Sequence, residues 1–489
     1  MSNETSRRDF LGISALGLAA GVVANETRAG VLRPANNETS AEAVQAPRAG
    51  SEISVWVTSG DDRHAPAPHL AWGPAATSTA AIAEIQLNPG TKFQEILGFG
   101  GAFTDATCYM FNQLSAPARE QLFHEMFHPS EMNLNVCRTC IGSSDYSTKL
   151  YSYDDGEADP DLTRFSIEHD RAYILPILRE ARKINPDLFL FSSPWSPPGW
   201  MKFNNSMLGG SMRKFYLATY AQYFLKFLHG YAAEGVPVQA VTSQNELDTD
   251  QDGRMPACTW AQEYEIQFIR DHLGPLLERT NTPVQIWLLD HNYNLWGRVV
   301  DCLEDEKLRQ YSTSVAWHGY VGTPDMMSKA KSAFPQATMH WTEGGPDYTD
   351  ADYLNGWTKW GRIFTDILRN WCTSITTWNL ALDQVGKPNI GPFPCGGVVS
   401  INNQTKEITR SGQFWGLAHF GRAIRRGAVR FDTQSALTDL QHVGVTNPGG
   451  QRVLILTNPG PARSVDLRFG NMTASVPLKA ASLTTLSWT

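Results

Sequence analysis

Apolar and polar positions along this chain fall into three regimes. Between Ile53 and Leu87 they alternate in short runs, I-S-V-W-V-T and then I-A-E-I-Q-L, a period that predicts strands of an antiparallel sheet. The end of the chain repeats the pattern: V-R-F-D-T, L-Q-H-V-G-V-T, R-V-L-I-L-T-N, S-V-D-L-R-F and L-T-T-L-S-W are divided by Gly, Pro and Asn. Between these ends, apolar runs alternate with helix-like segments such as Arg171–Ile184, Arg213–Ala233 and Trp260–Leu277. That alternation predicts βα units and a parallel sheet. Eight candidate strands can be read. They are I-L-G-F-G-G-A-F, L-N-V-C-R-T-C-I, L-F-L-F-S-S-P-W, V-Q-A-V-T-S-Q-N-E, V-Q-I-W-L-L-D-H, S-V-A-W-H-G-Y, T-M-H-W-T-E and I-T-T-W-N-L.

The fold class that follows is α/β. A (β/α)8 TIM barrel at 96–425 carries an additional β-sandwich domain formed from 51–95 and 426–489. Residues 1–30 read as a twin-arginine signal peptide. S-R-R-D-F-L leads an apolar stretch, Leu11 to Ala24, that is too short for a comfortable membrane span. Cleavage is expected near Ala24 or Ala29, after export through the twin-arginine machinery to the periplasm or outside. Residues 31–50, rich in Ala, Asn, Pro and Glu, read as a flexible linker.

Composition narrows the function. The 489 residues exceed one small domain, and charged residues at 18% fall below the usual quarter, so the chain reads as globular rather than disordered. A net charge of -8 argues against nucleic acid and against a polybasic membrane surface. The seven Cys are odd in number and scattered, unlike a disulfide framework. Cys137 and Cys140 lie three apart on one strand, hence on opposite faces, and cannot chelate together. His124, His128, His318 and His340 have no metal-ligand spacing, and no metal or cofactor is expected. G-F-G-G lacks the dinucleotide spacing, and Ser192 and Ser193 lack a nucleophile elbow.

The strand ends carry the candidate chemistry, because in a parallel barrel they converge on one face. Strand one ends in Thr104 and Asp105, strand two in Arg138 and then Ser143, Ser144 and Asp145. Strand three gives Trp195 and Trp200, strand five Asp290, His291 and Asn292. Strand six gives Trp317, His318 and Tyr320, strand eight Trp378 and Asn379. Glu246 ends strand four in this reading and Glu343 ends strand seven. A carboxylate at such a place is costly to desolvate, and two on different strands are what glycoside cleavage requires. Glu246 is assigned as acid/base and Glu343 as nucleophile. Asn245 could bond a sugar 2-hydroxyl, Tyr320 could donate to the nucleophile, and Arg138 could hold Glu343 ionised. A bell-shaped pH profile follows, limited by protonation of Glu343 below and loss of the Glu246 proton above.

At these residues the chain resembles glycoside hydrolase family 30, the glucosylceramidase family. The likeness rests on G-F-G-G-A-F-T-D-A, S-P-W-S-P-P-G-W-M-K, Q-N-E, W-H-G-Y, W-T-E-G-G and T-W-N-L-A-L. It implies the same barrel and sandwich, retention of anomeric configuration, Glu246 as acid/base and Glu343 as nucleophile. It also implies that Asp105, Trp195, Asn245 and Trp378 line the first sugar site, with Tyr320 beside the nucleophile and no metal or organic cofactor; Arg138, His318 and Asn379, at the same strand ends, are assigned supporting roles. The expected activity is hydrolysis of β-glucosidic bonds in a β-glucoside, glucan or glycolipid, of glucosylceramidase or β-glucosidase type. The alternatives are an endo-β-1,6-glucanase or a β-xylosidase. The loop D-Q-V-G-K-P-N-I-G-P-F-P-C-G-G differs from the animal lysosomal members, and Gly344 and Gly345 follow Glu343 with no Cys there. Both departures leave the aglycone side open.

Overall fold

Eight parallel strands close on themselves in chain order: β1 (Gly98–Phe103), β2 (Val136–Cys140), β3 (Phe189–Ser193), β4 (Ala240–Thr242), β5 (Gln285–Asn292), β6 (Ser314–His318), β7 (Thr338–Glu343) and β8 (Cys372–Asn379). This computed structural model describes residues 45–75 and 83–489. The expected signal peptide and most of the expected linker lie outside the described residues. Among the described residues, no helix is long and apolar enough to cross a membrane.

Side-chain alternation explains both barrel layers. Val136, Phe191, Ala240, Trp287 and Ala316 point inward and form an apolar plug, with His340 stacked on Trp287 at 3.9 Å. Two residues further along β2, β3, β4, β6 and β7, the inward positions are Arg138, Ser193, Thr242, His318 and Thr342, a polar layer above the plug. Strand β5 would place Leu289 there. Instead Leu289 and Asp290 adopt positive φ, 71° and 51°, and the register against β6 shifts at this point. The bulge turns Leu289 outward into the helix-facing core and Asp290 inward. A second register shift, between β6 and β7, sets Glu343 opposite His318.

Strand β4 is shorter than the sequence suggests. It stops at Thr242, so Glu246 does not end a strand; it lies in the turn beyond, with φ 49°. Its backbone N–H donates to Asp290 O at 3.0 Å, tying that turn to the β5 bulge.

The chain ends interleave in a ten-stranded sheet. Glu52–Ser59 pairs with the last strand, Ser482–Trp488, and Glu84–Glu95 lies between Val429–Ser435 and Arg463–Phe469. The sheet wraps a second core containing Ile53, Leu87, Leu454, Leu456, Leu467 and Trp488. On Arg452–Asn458 the alternate residues Val453 and Ile455 face the barrel's core, so this strand is buried on both sides. Helices Trp357–Arg369 and Gly412–Ala423 lie between barrel and sheet. A Cβ at Gly361 would collide with Leu483 and Thr457, which is why the first of these helices can lie so close. Two of this sheet's longer strands, Asp62–Ala71 and Met472–Leu478, stand outside the runs read from the sequence. Both contain proline, which is tolerated in strands near a sheet edge.

Candidate active site

The polar layer is organised by charge. The Arg138 guanidinium is fully buried and spends all its donors: Nη1 on Glu343 Oε2 at 2.5 Å and Thr342 O at 3.5 Å, Nη2 on Asn245 Oδ1 and Asp290 Oδ2 at 2.7 Å each, Nε on Ser193 Oγ at 3.1 Å. Asp290 is equally buried. Thr242 and Thr342 donate hydroxyls to it at 2.7 Å each, and His318 Nε2 lies 3.1 Å away. Burial alone would raise the Asp290 carboxyl, but Arg138, His318 and Thr242 draw it far below the usual range. Glu343 is held on its other oxygen by Tyr320 OH at 3.0 Å. Burial lifts the Glu343 carboxyl above its ordinary value, with His318 and Arg138 pulling it back and the charges of Glu246 and Asp290 adding to the lift.

Glu246 faces Glu343 across the barrel mouth. A carboxylate oxygen of each and a ring nitrogen of His318 lie within 4.8 Å of one another. A divalent ion could bridge such a spacing, but Arg138 and Tyr320 already hold the two oxygens of Glu343. Gln251 Nε2 donates to Glu246 Oε2 at 2.8 Å, while His318 Nδ1 and His291 Nε2 lie 3.3 and 3.4 Å from Oε1. Burial raises the Glu246 carboxyl, but these two imidazoles outweigh it and leave it below its ordinary value. His291 also meets Asp248 Oδ1 at 2.5 Å; although burial opposes its charge, the two carboxylates lift it to about 10. His318 is raised likewise, against burial, by Glu343, Asp290 and Glu246. Three cations, Arg138, His291 and His318, therefore face four carboxylates, Glu246, Asp248, Asp290 and Glu343.

A cavity of about 400 Å³ opens over these groups. Trp195 and Trp378 stack at 5.0 Å with nearly parallel rings and form one wall, with the Arg138 guanidinium over Trp195 at 4.6 Å. Asn245, Glu246, Tyr320 and Glu343 line it as well. The structure thus brings together Glu246, Glu343, Trp195, Asn245, Tyr320 and Trp378, with Arg138 and His318 beneath. Asp105 does not join them, which corrects the expectation for it. As the first residue of helix Asp105–Asn112 it turns away, and its carboxylate accepts from Thr148 N at 2.9 Å and Tyr173 OH at 3.0 Å and meets His169 Nε2 at 2.5 Å. Asp145, after β2, lines the cavity instead. Burial lifts its carboxyl well above the ordinary range, with Glu343 and Glu246 adding to the effect. Asn379 is fully buried and accepts from Thr104 Oγ1 at 2.8 Å, outside the cavity lining. Gln251, Met255 and Asp248 carried no sequence signal of their own, being loop residues. Asp290 and His291 stood at a strand end but without an assigned role.

Cys137 and Cys140 do occupy different sides of β2, one in the helix-facing core and one in the small cluster around Trp195, and all seven cysteines are free.

A closed barrel with this acidic mouth defines a class, the barrel glycoside hydrolases. The chain matches the glycosyl hydrolase family 30 TIM-barrel domain over residues 96–424 and the family's beta sandwich domain over 427–486. It belongs to glycoside hydrolase family 30, a family of β-glycosidases. It is 30% identical over 418 residues to the endo-1,6-beta-D-glucanase of Neurospora crassa, covering 81% of this chain and 84% of that one. It is 30% identical over 400 residues to the lysosomal acid glucosylceramidase of Mus musculus, covering 76% and 77%. The solved structure of the endo-beta1,6-glucanase BT3312 superposes with a TM-score of 0.80 at 25% identity, over 89% of this chain and 99% of that one.

Proposed function

We propose that this chain hydrolyses β-glucosidic bonds by double displacement with retention, Glu343 attacking the anomeric carbon and Glu246 serving as acid and then base. The observation that carries the reading is the gap of no more than 4.8 Å between their nearest carboxylate oxygens. It fits the roughly 5–5.5 Å separation of retaining enzymes and leaves no room for the water an inverting enzyme needs. The roles rest on hydrogen bonding and position; burial raises Glu343, and the two imidazoles outweigh burial to lower Glu246, the opposite order to that of a resting nucleophile and acid. Glu343 has Arg138 and Tyr320 as donors to its ionised form. Glu246 sits on the rim turn and is the more exposed of the two carboxylates, as a group that meets the leaving group should be. The carboxylates gathered at the site suit a transition state with oxocarbenium character.

Azide tests the roles through stereochemistry. With Glu343→Gly and 2,4-dinitrophenyl β-glucoside, azide attacks from the vacated face in one displacement and gives the α-glucosyl azide. With Glu246→Gly, azide attacks the glycosyl-enzyme and gives the β-azide. The reverse pattern would exchange the two assignments, and no azide product from either would end the reading.

A second reading, an endo-β-1,6-glucanase, is supported by the similarity to the Neurospora enzyme and to BT3312. Internal oligosaccharides released from β-1,6-glucan would establish it over the glucosidase or glucosylceramidase reading; glucose alone would reject it. We also propose twin-arginine export to the periplasm or beyond, on the strength of S-R-R-D-F-L. Joint replacement of Arg7 and Arg8 by Lys should leave the precursor in the cytoplasm, and unchanged export would refute this.

A further inference from the structure

Three side chains stand in a row from solvent to the active site: Asp248, His291 and Glu246. The Asp248 side chain is 36% exposed, and His291, at the end of β5, is largely buried and lines the cavity. Its Nδ1 meets Asp248 Oδ1 at 2.5 Å and its Nε2 lies 3.4 Å from Glu246 Oε1. Each ring nitrogen faces a carboxylate, Nε2 at the edge of hydrogen-bond reach and Nδ1 in ion-pair contact but out of hydrogen-bond alignment. That arrangement sets up a difficulty for the proposed acid. A carboxylate flanked by two imidazoles is ionised in the free enzyme, yet the first chemical step needs a proton on the glycosidic oxygen.

We propose that Asp248 and His291 form a relay that holds, in the free enzyme, the proton Glu246 delivers to the leaving oxygen. The inference rests on the roles assigned to Glu246 and Glu343 above. In the first step the bond from Glu343 to the anomeric carbon forms and the glycosidic C–O bond breaks. The leaving oxygen takes a proton from Glu246, which takes the Nε2 proton of His291; the ring is left neutral with its Nδ1 proton facing Asp248. In the second step water attacks the anomeric carbon and displaces Glu343. Its proton passes to Glu246 and back to Nε2, so the pair ends as it began. Asp248 and His291 act through Glu246 and are positioning residues.

The neighbours of His291 leave it this part. His318, from β6, meets it edge-on at 5.7 Å and has both nitrogens committed, one toward Asp290 and one toward Glu246, with no exposed surface. Asp290 is engaged by Arg138, Thr242 and Thr342, and Glu343 by Arg138 and Tyr320. On the side away from Glu246, His291 leads through the exposed Asp248 toward water. With its two carboxylates, the ring keeps its proton up to about pH 10.

Leaving-group dependence tests the relay. Dinitrophenolate departs without a proton, whereas phenolate needs one. In His291→Gln, kcat/KM on phenyl β-glucoside should fall about a hundredfold further than on the dinitrophenyl glucoside, the scale of general-acid assistance. Loss by the same factor on both would overturn the relay, because a merely structural role lowers both alike. Asp248→Asn, at an exposed position, removes the anion that raises His291. The alkaline limb of kcat/KM should then move to lower pH, and an unmoved limb would overturn the proposal. Wild-type turnover of the dinitrophenyl glucoside, lost in Glu343→Gln, supports the underlying reading separately. Its absence would remove that reading and the relay with it.

Discussion

Arg138 illustrates how one residue sets the charge of its neighbours. Its fork reaches Glu343, Asn245, Asp290 and Ser193 at once, a span that the point charge of Lys cannot reproduce. In Arg138→Lys the cation stays in the site but some of these contacts must go. With weaker opposition from Arg138, burial lifts Glu343 further, so the acid limb of kcat/KM should move to higher pH and kcat should fall. The guanidinium lies under the cavity lining, so KM should change less than kcat. A pH profile of the variant checks both, and an acid limb at the wild-type position would refute the argument. Much of this residue-scale picture was legible in the sequence. A carboxylate, an arginine or a tryptophan at a strand end is conspicuous because packing does not call for it. What misled was Asp105, which also follows a strand. The same T-D that follows β1 opens a helix with Thr104 as its cap, and an acidic residue in a helix's first turn has an ordinary electrostatic reason to be there. Spacing along the chain does not separate those two uses.

At the scale of elements, the strands and helices followed from periodicity, whereas the devices that aim side chains did not. In L-L-D-H of β5, alternation gives no sign that Leu289 faces out and Asp290 in; that depends on two residues with positive φ, held by their neighbours. Glu265 is one of those neighbours. Fully buried, it accepts from Leu289 N at 2.8 Å and Ser243 Oγ at 3.1 Å and pairs with Arg298 at 3.2 Å, so it joins the β5 bulge to the turn carrying Asn245 and Glu246. Lys202 joins two other loops. Its fully buried ammonium donates to Ser196 Oγ at 3.0 Å, Met207 O at 3.0 Å and Ala257 O at 2.6 Å. These acceptors belong to the loops after β3 and β4, the second of which carries Gln251 and Met255. Lys202→Met would fill similar space but leave Ala257 O without its donor, at a cost of about 1–3 kcal/mol, while Met207 O keeps the Ala257 N–H. The variant should unfold at lower urea concentration, and aryl-glucoside KM should rise as the loop carrying Met255 loosens. An unchanged urea midpoint would show that the two loops hold together without the ammonium.

For the whole molecule, the question is how barrel and sheet stay joined, since the chain ends must meet before the sheet is complete. His419, on helix Gly412–Ala423, is a fully buried bolt at this junction. Its Nδ1 lies 2.8 Å from Thr485 Oγ1 on the last strand, and its Nε2 lies 2.8 Å from Thr58 Oγ1 on Glu52–Ser59, so one imidazole ties the helix to both ends of the chain. His64 sits edge-on to it at 4.8 Å, with Arg422 nearby. Burial holds the His419 ring well below its ordinary pKa, and the charges of His64 and Arg422 push the same way; burial and Arg422 likewise lower His64 to about 4. The sign follows from proton binding. Below about pH 6.5 the unfolded chain protonates these rings while the folded one does not, so stability is lost as pH falls from there toward the folded pKa. Thermal unfolding of the wild type should therefore move to lower temperature between pH 6.5 and 4.5. His419→Gln keeps a neutral side chain able to bond hydroxyls but removes the titration. It should start from a lower melting temperature at pH 7.5 and then show a shallower decline with acid. If the variant's melting temperature falls as steeply as the wild type's, the acid sensitivity arises elsewhere, for which the buried rings of His340 and His442, lowered by burial to about 3 and about 4, are the next groups to replace.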